Sequence, residues 1–422
     1  PAFGWAKSIT GNAVKEIYDV TTDFEGNVYT TGTLGLSANI GPGEGILEAV
    51  VNPFNPNANM GRNVFVTKMT SAGTLVWAKT FGGEYDDIAR AIKTDASGNI
   101  YVAGTFKGQC DFNPNPGEFY LNSGSVLSNF GDNSFIMKMG PTGNLLWAKA
   151  FVGTYNQELN DIDVDAQGNV YSTGTFTGLN SFAVDFDPGF GTNFVPATTY
   201  DVFISKLTTD GDFVWVKTFT GGDTNSVNVE DRDKGNSLKL DSQGNVVVLG
   251  SFRLTNDFDP SSGVANLTTA GSYNNSDLFV AKLDNSGNFI WAKRIGGQAE
   301  DRGKSLGIDA NNNIYTFGYH SSDSEFPEVD FDPNAGVFNL LPSTRFKNVV
   351  TKLTSTGDFE WAKLLRGNNT GDNYFGRSFD VDSNGNFYVC ENFSGTINNP
   401  LIADFDDGAG VFNLTATSES IF

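Results

Sequence analysis

The sequence has few of the residues from which most catalytic and metal sites are built. Its 422 residues include one histidine, His320, and two cysteines, Cys110 and Cys390. One histidine excludes a three-histidine metal site, and two cysteines exclude a disulfide framework, so we expect two free thiols. His320 lies in the polar stretch GYHSSDSE, which we expect to be an exposed loop. Neither a GxSxG elbow nor a GxxxxGK phosphate loop occurs, and we therefore predict that the protein is not an enzyme.

Basic residues are also scarce. The chain has 27 Lys and Arg against 49 Asp and Glu, for a formal net charge of -22. Because phosphate binding needs clustered cations, this balance argues against nucleic acid or an anionic membrane as partner. No apolar run approaches the roughly 20 residues of a membrane span. The chain opens at Pro1 without an initiator methionine, so we expect a processed chain whose signal peptide has been removed.

All six tryptophans occur in one motif, WAK or, once, WVK. They are Trp5, Trp77, Trp147, Trp215, Trp291 and Trp361, at spacings of 72, 70, 68, 76 and 70 residues. Each is followed by a turn motif related to DASGN, which begins at Asp23, Asp95, Asp165, Asp241, Asp309 and Asp382. This period predicts six structural repeats in one domain spanning residues 1–422.

One repeat contains four predicted strands in two hairpins. AIKTD and IYVAGTF flank the DASGN turn, in which Asp95 caps the loop and Gly98 takes a positive φ. SFIMKM and NLLWAKAF flank a second turn, GPTG. With no helical pattern, these hairpins predict an all-β fold, a β-propeller of six four-stranded blades, with an open solenoid as the alternative. We expect the tryptophans to pack between blades and the third-strand lysines to pair with nearby acids or reach solvent.

The combination F-x-x-K, then G-x-x-x-WAK, then D-x-x-GN-x-Y-x-x-G resembles the SBBP family of bacterial β-propeller repeats over essentially the whole chain. The resemblance implies an exported protein, secreted or displayed on the cell surface, of a kind common in Bacteroidota. Such proteins are often joined to adhesin-like modules or to a type IX secretion sorting domain. The family name implies seven blades, whereas six repeats are counted in this sequence.

A second repeated element is acidic. VDFDPG at Val184–Gly189 returns as CDFNPNPG, NDFDPSSG, VDFDPNAG and ADFDDGAG, always between the two hairpins of a repeat. In an extended segment, Asp185 and Asp187 point to the same side while Phe186 points to the other and can be buried. The ten residues at these paired positions are Asp111 and Asn113, Asp185 and Asp187, Asp257 and Asp259, Asp330 and Asp332, and Asp404 and Asp406.

Two interpretations of these pairs are open at this point. Aspartate before proline starts turns, so the acids can be solvated loop residues around a phenylalanine plug. Alternatively, they bind Ca²⁺, which takes six to eight oxygen ligands at about 2.3 to 2.6 Å. The first repeat carries PFNPNAN from Pro53 instead, so we expect an ion there to be missing or weaker.

The functional prediction is a non-enzymatic scaffold, or a binding or adhesion module, for carbohydrate or a surface protein. Glycosidases need only two suitably spaced carboxylates, so a polysaccharide-degrading enzyme that uses propeller-face acids is the alternative. A catalytic pair should be singular, however, and these pairs recur. A structural spacer beside further domains of the same chain is a third possibility. The long loops at 52–62 and 221–234 are where we first expect a partner.

The two ends of the sequence predict closure of the ring. AFGWAKSI, from Ala2 to Ile9, is typical of a fourth strand that has no blade of its own. Phe422 falls where the third strand of the sixth repeat begins. We predict that the segment around Trp5 pairs beside the strand that starts near Ser420, because this removes two exposed sheet edges. We also expect the natural chain to continue past Phe422.

Overall fold

The computed structural model describes residues 5, 9, 15–35, 37–39, 46–48, 61–123, 131–177, 183–196, 200–221, 233–271, 275–321, 329–340, 347–365, 375–394, 401–404, 413–416 and 419–421. Side chains of residues 15, 37–39, 46–48, 375–377 and 390 onward lie outside this description. The described residues form strands and turns, and they include no helix of the length and apolarity needed to cross a membrane. The predicted all-β class is confirmed.

The chain divides into two compact units, of which the first is Pro1–Val216. Its strands are β1 (Lys15–Thr22), β2 (Val28–Leu34), β3 (Ser37–Asn39), β4 (Ile46–Glu48), β5 (Asn63–Met69), β6 (Leu75–Gly83), β7 (Ile88–Thr94), β8 (Ile100–Phe106), β9 (Gln109–Asp111), β10 (Tyr120–Asn122), β11 (Asn133–Met139), β12 (Leu145–Phe151), β13 (Gln157–Val164), β14 (Val170–Thr177), β15 (Ala183–Asp185), β16 (Phe194–Pro196) and β17 (Tyr200–Leu207). β18 (Phe213–Gly221) lies at the division. The antiparallel sheets have the orders β1-β2-β5-β6-β9-β10 and β12-β11-β8-β7, and β13-β14-β17 follow one another in a third.

The second unit is Lys217–Phe422. Its strands are β19 (Lys234–Leu240), β20 (Val246–Phe252), β21 (Thr255–Asp257), β22 (Asn266–Thr268), β23 (Asp277–Leu283), β24 (Phe289–Gly297), β25 (Asp301–Ile308), β26 (Ile314–His320), β27 (Val329–Asp330), β28 (Asn339–Leu340), β29 (Lys347–Leu353), β30 (Phe359–Leu364), β31 (Phe375–Val381), β32 (Phe387–Ser394), β33 (Leu401–Asp404), β34 (Asn413–Ala416) and β35 (Glu419–Ile421). The sheet orders are β19-β20-β23-β24-β27-β28, β25-β26-β29-β30 and β31-β32-β35.

The first hairpin of each repeat is closed by the predicted aspartate turn. Asp95 Oδ1 accepts hydrogen bonds from the backbone N–H groups of Ser97 and Asn99, both at 2.9 Å. Gly98 takes φ +75°, as the reversal requires. In the fifth repeat the matching residue is Asn312, which takes φ +63°. Asparagine tolerates this left-handed conformation better than most residues, so the turn survives without its glycine.

The core of each unit lies between consecutive sheets. In the first unit, one buried cluster joins Val66 to Ile100 and Met137, and the next joins Tyr101 to Phe203. The first strands of successive repeats lie side by side, β1 with β7 and β7 with β13. In the second unit β19 packs against β25, and β25 packs against β31. Each sheet is thus covered on a face by its neighbour within the unit, as predicted from the apolar residues on both faces of the strands.

The tryptophans form hydrogen bonds between neighbouring repeats. Trp77 Nε1 donates to the Pro141 carbonyl at 3.2 Å, and Trp147 Nε1 donates to the Thr209 carbonyl at 3.1 Å. In each case the acceptor belongs to the turn between the third and fourth strands of the following repeat. All six indoles are half-buried. Packing between sheets is therefore the role that the structure gives to Trp77 and Trp147.

The third-strand lysines lie beside the aspartate turns. Lys138 Nζ is 4.9 Å from the centre of the Tyr101 ring and 3.9 Å from Asp95 Oδ2. Lys68, Lys206 and Lys352 lie over tyrosines in the same way, at 5.1, 4.7 and 5.4 Å. A cation over an aromatic face and near an acid is a stabilising arrangement. These lysines are structural, which agrees with the prediction of pairing with acids.

Candidate functional site

The acidic segments form short loops closed by their own first carboxylate. Asp185 Oδ1 accepts from the backbone N–H of Asp187 at 3.0 Å and from that of Asn193 at 2.7 Å. Asp187 Oδ1 accepts from the N–H of Gly189 at 2.9 Å. The other carboxylate oxygen of Asp187 fills the space that a Cβ on Gly191 would need. The loop therefore depends on both acids and on a glycine four residues after the second one.

Three other acidic loops repeat this pattern of bonds. The first acid accepts from the N–H groups two and eight residues later: Asp111 from Asn113 and Phe119, Asp257 from Asp259 and Ala265, and Asp330 from Asp332 and Phe338. The second polar residue accepts from the N–H two residues on, as Asn113 does from Asn115 and Asp259 from Ser261. Asp332 accepts from Asn334 in the same way. The side chain of Asp404 and the whole of Asp406 lie outside the described residues.

The phenylalanine between the acids is buried, as predicted. Phe186 is fully enclosed, with its ring centre 5.1 Å from that of Phe151 and 5.0 Å from that of Phe203. Phe112, Phe258 and Phe331 are equally buried in their own repeats. Each loop is thus held by apolar packing on one side and by carboxylate hydrogen bonds on the other.

These loops also join neighbouring repeats, which the sequence did not predict. Cys110 and Asp111 on β9 pair with Gly83 and Gly82 at the end of β6, the fourth strand of the preceding repeat. β27 pairs with the end of β24 in the same way, and β21 pairs with the end of β18. The blades were predicted to have four strands, but a short hairpin from the following repeat extends some sheets to six.

This geometry gives the acid pairs a loop-closing role. In the four loops with described side chains, Oδ1 of the first residue faces backbone N–H donors, which occupy the direction that a cation would take. Within the described part of the chain, no group of three or more His, Cys, Asp and Glu side chains could hold a metal. Acidic side chains alone therefore do not supply the six to eight oxygens of a calcium shell in the described loops, and backbone carbonyls and water would have to provide the rest. Calcium binding stays a prediction from the sequence.

His320 is not in an exposed loop. It is the last residue of β26 and is buried, with Nδ1 3.0 Å from Asp301 Oδ1 and its ring 4.6 Å from that of Phe331. Phe106 and Phe252 end the matching strands of the second and fourth repeats. The expectation of an exposed histidine was wrong. His320 occupies the position that a core phenylalanine has in other repeats, and the buried Asp301 carboxylate is its partner. Burial raises the pKa of Asp301, although His320 opposes this effect.

A row of β-bulges gives the repeats side chains that sequence reasoning missed. In every first strand one extra residue interrupts the pairing with the second strand. The extra residues are Tyr18, Arg90, Asn160, Asn236, Lys304 and Arg377. A bulge re-aims the side chain it carries and is often found at binding sites. The signal was available, because each residue stands five positions before the aspartate of its turn motif.

The bulge explains the last glycine of the D-x-x-GN-x-Y-x-x-G pattern. Gly104 on β8 lies opposite Ala89, beside the bulge at Arg90. A Cβ on Gly104 would collide with the Ile88 carbonyl and lie 2.9 Å from the Cα of Ala89. The glycine therefore permits the close approach of the two strands, and its place in the motif marks the bulge.

In the first unit the bulge residues Tyr18 and Arg90 belong to a charged network. The Tyr18 hydroxyl donates to Glu16 Oε2, and Arg62 lies 3.8 Å from the same oxygen. Arg62 also pairs with Asp86 at 2.9 Å. Burial and the bond to Glu16 raise the pKa of Tyr18. Arg90 Nε is buried and finds no hydrogen-bond partner in the part of the chain that the structure describes.

In the second unit the bulge residues are Asn236, Lys304 and Arg377. Asn236 Nδ2 donates to the Gly303 carbonyl at 2.7 Å, which places it next to Lys304 on the neighbouring first strand. Lys304 Nζ lies 5.2 Å from the centre of the Tyr319 ring. The side chain of Arg377, like most of the loops at 52–62 and 221–234, lies outside the described residues. The described bulges thus present mainly cationic and amide groups.

Comparison with known proteins gives one sequence relative. No family model matches the chain, so the resemblance to SBBP repeats stays a prediction. An uncharacterised WD repeat-containing protein of Acanthamoeba polyphaga mimivirus is 21% identical over 469 aligned positions, which cover 98% of this chain and 32% of the relative. The chain therefore spans about a third of that protein. WD repeats form four-stranded propeller blades, so this likeness and the observed sheets agree on a propeller-like repeat protein.

Similarity to solved structures is limited. A protein of unknown function from Bacteroides caccae aligns with a TM-score of 0.31 and 9% sequence identity, covering 71% of this chain and 89% of that one. A TM-score this low carries no argument about fold or function. The architecture of the chain therefore rests on its own strands and repeats.

Proposed function

We propose that the protein is a closed six-bladed propeller that acts as a non-enzymatic binding module. The observation that carries the binding role is the contrast between a constant framework and a variable row of bulges. The turn aspartate recurs in all six repeats, and the glycine opposite the bulge recurs in five. The bulge residue changes between tyrosine, arginine, asparagine and lysine. Described bulge residues are at least partly exposed, whereas the neighbouring Ala89 and Gly303 are buried.

The position of Trp5 supports closure. Trp5 Nε1 donates to the Ser71 carbonyl at 2.9 Å, and its ring lies against Gly73 in the same turn. Trp77 and Trp147 make this bond to the turn of the repeat that follows theirs. Trp5 is thus placed like the fourth-strand tryptophan of a blade that precedes the first. The sixth repeat has three described strands, β31-β32-β35, and closure would let the N-terminal segment serve as the fourth.

The partner and location belong to the same proposal. A carbohydrate or a surface protein suits a rigid scaffold with polar side chains at the bulges of its first strands. Location outside the cell follows from the sequence resemblance to exported propeller repeats. The acid pairs are separated on different loops and engaged by backbone donors. This arrangement supports a module without catalysis over a polysaccharide-degrading enzyme, which would need two carboxylates on either side of one bond.

A screen with two readouts tests the proposal. The purified protein is exposed to immobilised neutral and acidic oligosaccharides, and both retention and release of reducing ends are measured. We expect retention of at least one glycan class without release of product. Asn160→Ala should weaken that retention, whereas Leu146→Ala, on an exposed site of a fourth strand, should leave it unchanged. Product release would favour the enzyme, and equal retention by both variants would place the partner away from the bulges.

A further inference from the structure

Two buried carboxyl groups meet where the fourth repeat packs against the fifth. Asp277 is the first residue of β23, Asp301 is the first residue of β25, and neither side chain is exposed. The Asp301 N–H donates to the Ser276 carbonyl at 2.7 Å, which places the two acids beside each other. A Cβ on Gly296 would lie 2.8 Å from Asp277 Oδ1 and 2.9 Å from Asp301 Oδ2, so both oxygens border the same small space.

The junction between the second and third repeats has amides at the same two positions. Asn133 begins β11 and Gln157 begins β13. The Gln157 N–H donates to the carbonyl of the residue before Asn133 at 2.8 Å, so the positions match those of the two acids. Both side chains are buried, and their amides form a hydrogen bond of 3.0 Å. An amide hydrogen thus joins this pair, whereas two ionised carboxylates only accept and have no hydrogen to share.

We propose that Asp277 and Asp301 hold one proton between them in mildly acidic solution, and that this proton joins the fourth repeat to the fifth. A protonated carboxyl group donates one hydrogen bond, so it supplies the hydrogen that the amide pair has. Asp277 Oδ1 is the atom suited to carry the proton, because it borders Asp301 and has no hydrogen-bond partner within the described part of the chain. The proposal goes beyond the binding role, because it concerns how firmly two repeats are joined.

The other oxygen of Asp277 is already bonded. Asp277 Oδ2 accepts from Arg294 Nη1 at 2.7 Å and from the N–H of Ala270 at 2.9 Å. Burial, followed by repulsion from Asp301, raises the pKa of Asp277 to about 7, although the bonds to Arg294 and Ala270 oppose this shift. When two carboxyl groups share a site, ionisation of one hinders ionisation of the other. The geometry and the raised pKa therefore agree on a proton that the pair retains up to about neutral pH.

Asp301 is bonded through both oxygens. Its Oδ2 accepts from the N–H of Gly297 at 2.6 Å, and its Oδ1 lies 3.0 Å from His320 Nδ1. Because His320 meets Oδ1 and the space beside Gly296 adjoins Oδ2, a proton on His320 would offset the charge of Asp301 without giving Asp277 a donor. The experiment must therefore separate a proton on the acid pair from a proton on the histidine.

Other charged groups stand on the elements around the pair. They are Glu300 and Arg302 on β25, Arg253 after β20, Lys347 on β29 and Asp330 on β27. Glu300 pairs with Arg302 and lies 3.7 Å from Arg253. Asp323, Glu325 and Glu328, between β26 and β27, lie outside the described residues. All of these groups stay the same when Asp277 alone is substituted, so a difference between the two proteins reports on the pair.

Chemical unfolding from about pH 4 to about pH 8 tests the shared proton. The whole chain with Asp87→Asn serves as the parent, because Asp87 also has a raised pKa. The contribution of the pair is fully present below an unfolded-state pKa of about 4 and is lost as the pH rises through about 7. In this window the unfolding equilibrium constant of the parent should rise by up to about tenfold per pH unit relative to that of Asp277→Asn, in which an amide replaces the protonated carboxyl group. Parallel courses of the two proteins would overturn the proposal.

Two further substitutions in the same parent locate the proton. His320→Phe introduces the residue that ends the matching strands β8 and β20. It should keep the dependence on pH, because both carboxyl groups of the pair remain. Asp212→Asn removes an exposed carboxylate and should follow the course of the parent. Loss of the dependence in His320→Phe would place the proton on the histidine, and loss in Asp212→Asn would mean a general effect of charge; either result would refute the shared proton.

Hydrogen exchange of the unsubstituted chain shows where the fold loosens and does not depend on a variant that folds. Exchange rates are corrected for the intrinsic effect of pH on amide exchange. Peptides from β23 to β25 should lose protection as the pH rises from about 5 to about 8, because the proton that joins the two repeats is released. Peptides from β11 to β13, where amides join the repeats, should change less. An equal change in both sets, or no change in either, would show that the acid pair does not control this junction.

Discussion

Lys282 Nζ lies 2.8 Å from Asp241 Oδ2, in direct contact with the turn aspartate of its repeat. In four other repeats the matching lysine lies over a tyrosine ring instead. The fourth repeat has Val247 where those repeats have tyrosine, and Val247 pairs with Lys282 across the strands. Loss of the ring leaves the two charges free to meet. The Lys282–Asp241 pair is therefore a buried ion pair in a place where the other repeats use an aromatic spacer.

Removing this lysine should cost more than removing its counterpart in another repeat. Both side chains of the pair are almost fully buried, at 7% and 1% exposure. Lys282→Met leaves Asp241 without its cation and should destabilise the fold by about 3 kcal/mol or more. Lys68→Met removes a lysine over Tyr29 and should cost about 1 kcal/mol. Chemical unfolding followed by circular dichroism gives the comparison, and equal losses would refute it.

Substitutions at Trp147 and its neighbour Leu146 provide a matched pair for testing whether the tryptophans hold neighbouring repeats together. Trp147→Ala removes a half-buried indole and its bond to the Thr209 carbonyl, so we expect a loss of about 3 kcal/mol. Leu146 is 49% exposed, and Leu146→Ala should stay within about 0.5 kcal/mol of the parent. The measurement is the midpoint of thermal unfolding. A Trp147→Ala protein that melts like Leu146→Ala would show that the indole is not a packing residue.

Asp86 and Asp87 should affect stability in opposite ways as pH changes. Burial raises the pKa of Asp87 to about 8. Its contribution to the free energy of unfolding is therefore fully present below its unfolded-state pKa of about 4 and is lost as the pH rises through about 8. Asp87→Asn should therefore gain stability relative to the parent across this window. Burial also acts on Asp86, but its bonds to Arg62 outweigh that effect and lower its pKa. Its contribution is present above about pH 4 and is lost in more acidic solution.

Melting temperatures of both variants across this range check the signs. The melting temperature of Asp87→Asn should increase relative to that of the parent as the pH rises from about 4 to about 8. The difference between Asp86→Asn and the parent should be constant there and shrink only below about pH 4. A parallel course of the two variants would contradict the buried state of Asp87.

The acidic loop at Asp185 allows loop closure and calcium binding to be separated. Asp185→Ala removes the acceptor for two backbone N–H groups and should destabilise the protein by about 2 kcal/mol, with or without Ca²⁺. Melting of chelator-stripped protein, with and without millimolar Ca²⁺, measures both effects. A rise in melting temperature with Ca²⁺ that disappears in Asp187→Asn would establish the calcium prediction instead.

Much of the framework could be predicted because its causes are local. The turn at Asp95 needs its own carboxylate, Gly98 and Asn99, all within five residues, and the sequence repeats them at a fixed period. Alternating apolar residues in the strands predict both hairpins of a repeat. Burial of Phe186 also follows from local geometry, since alternate residues of an extended segment face opposite sides.

What could not be predicted depends on partners distant in sequence. The pairing of β9 with β6 joins Asp111 to Gly82, and no pattern near Asp111 identifies that strand. His320 is followed by polar residues, which made a loop the natural interpretation. Its burial follows from a position that phenylalanine fills in other repeats and from a charged partner, Asp301, nineteen residues earlier.

Because an acidic loop pairs with the fourth strand of the preceding repeat, the sheet of one repeat depends on the repeat that follows it. Cys110 and Asp111 complete the edge of a sheet whose own residues end at Gly83. Dividing the chain between Gly83 and Ile88 would match the tryptophan period. It would nevertheless separate that sheet from β9 and β10, the two strands that complete it. The unit that could be excised, duplicated or lost by recombination is therefore out of phase with the repeat seen in the sequence. Unfolding of one repeat would expose the edge strand of the preceding repeat.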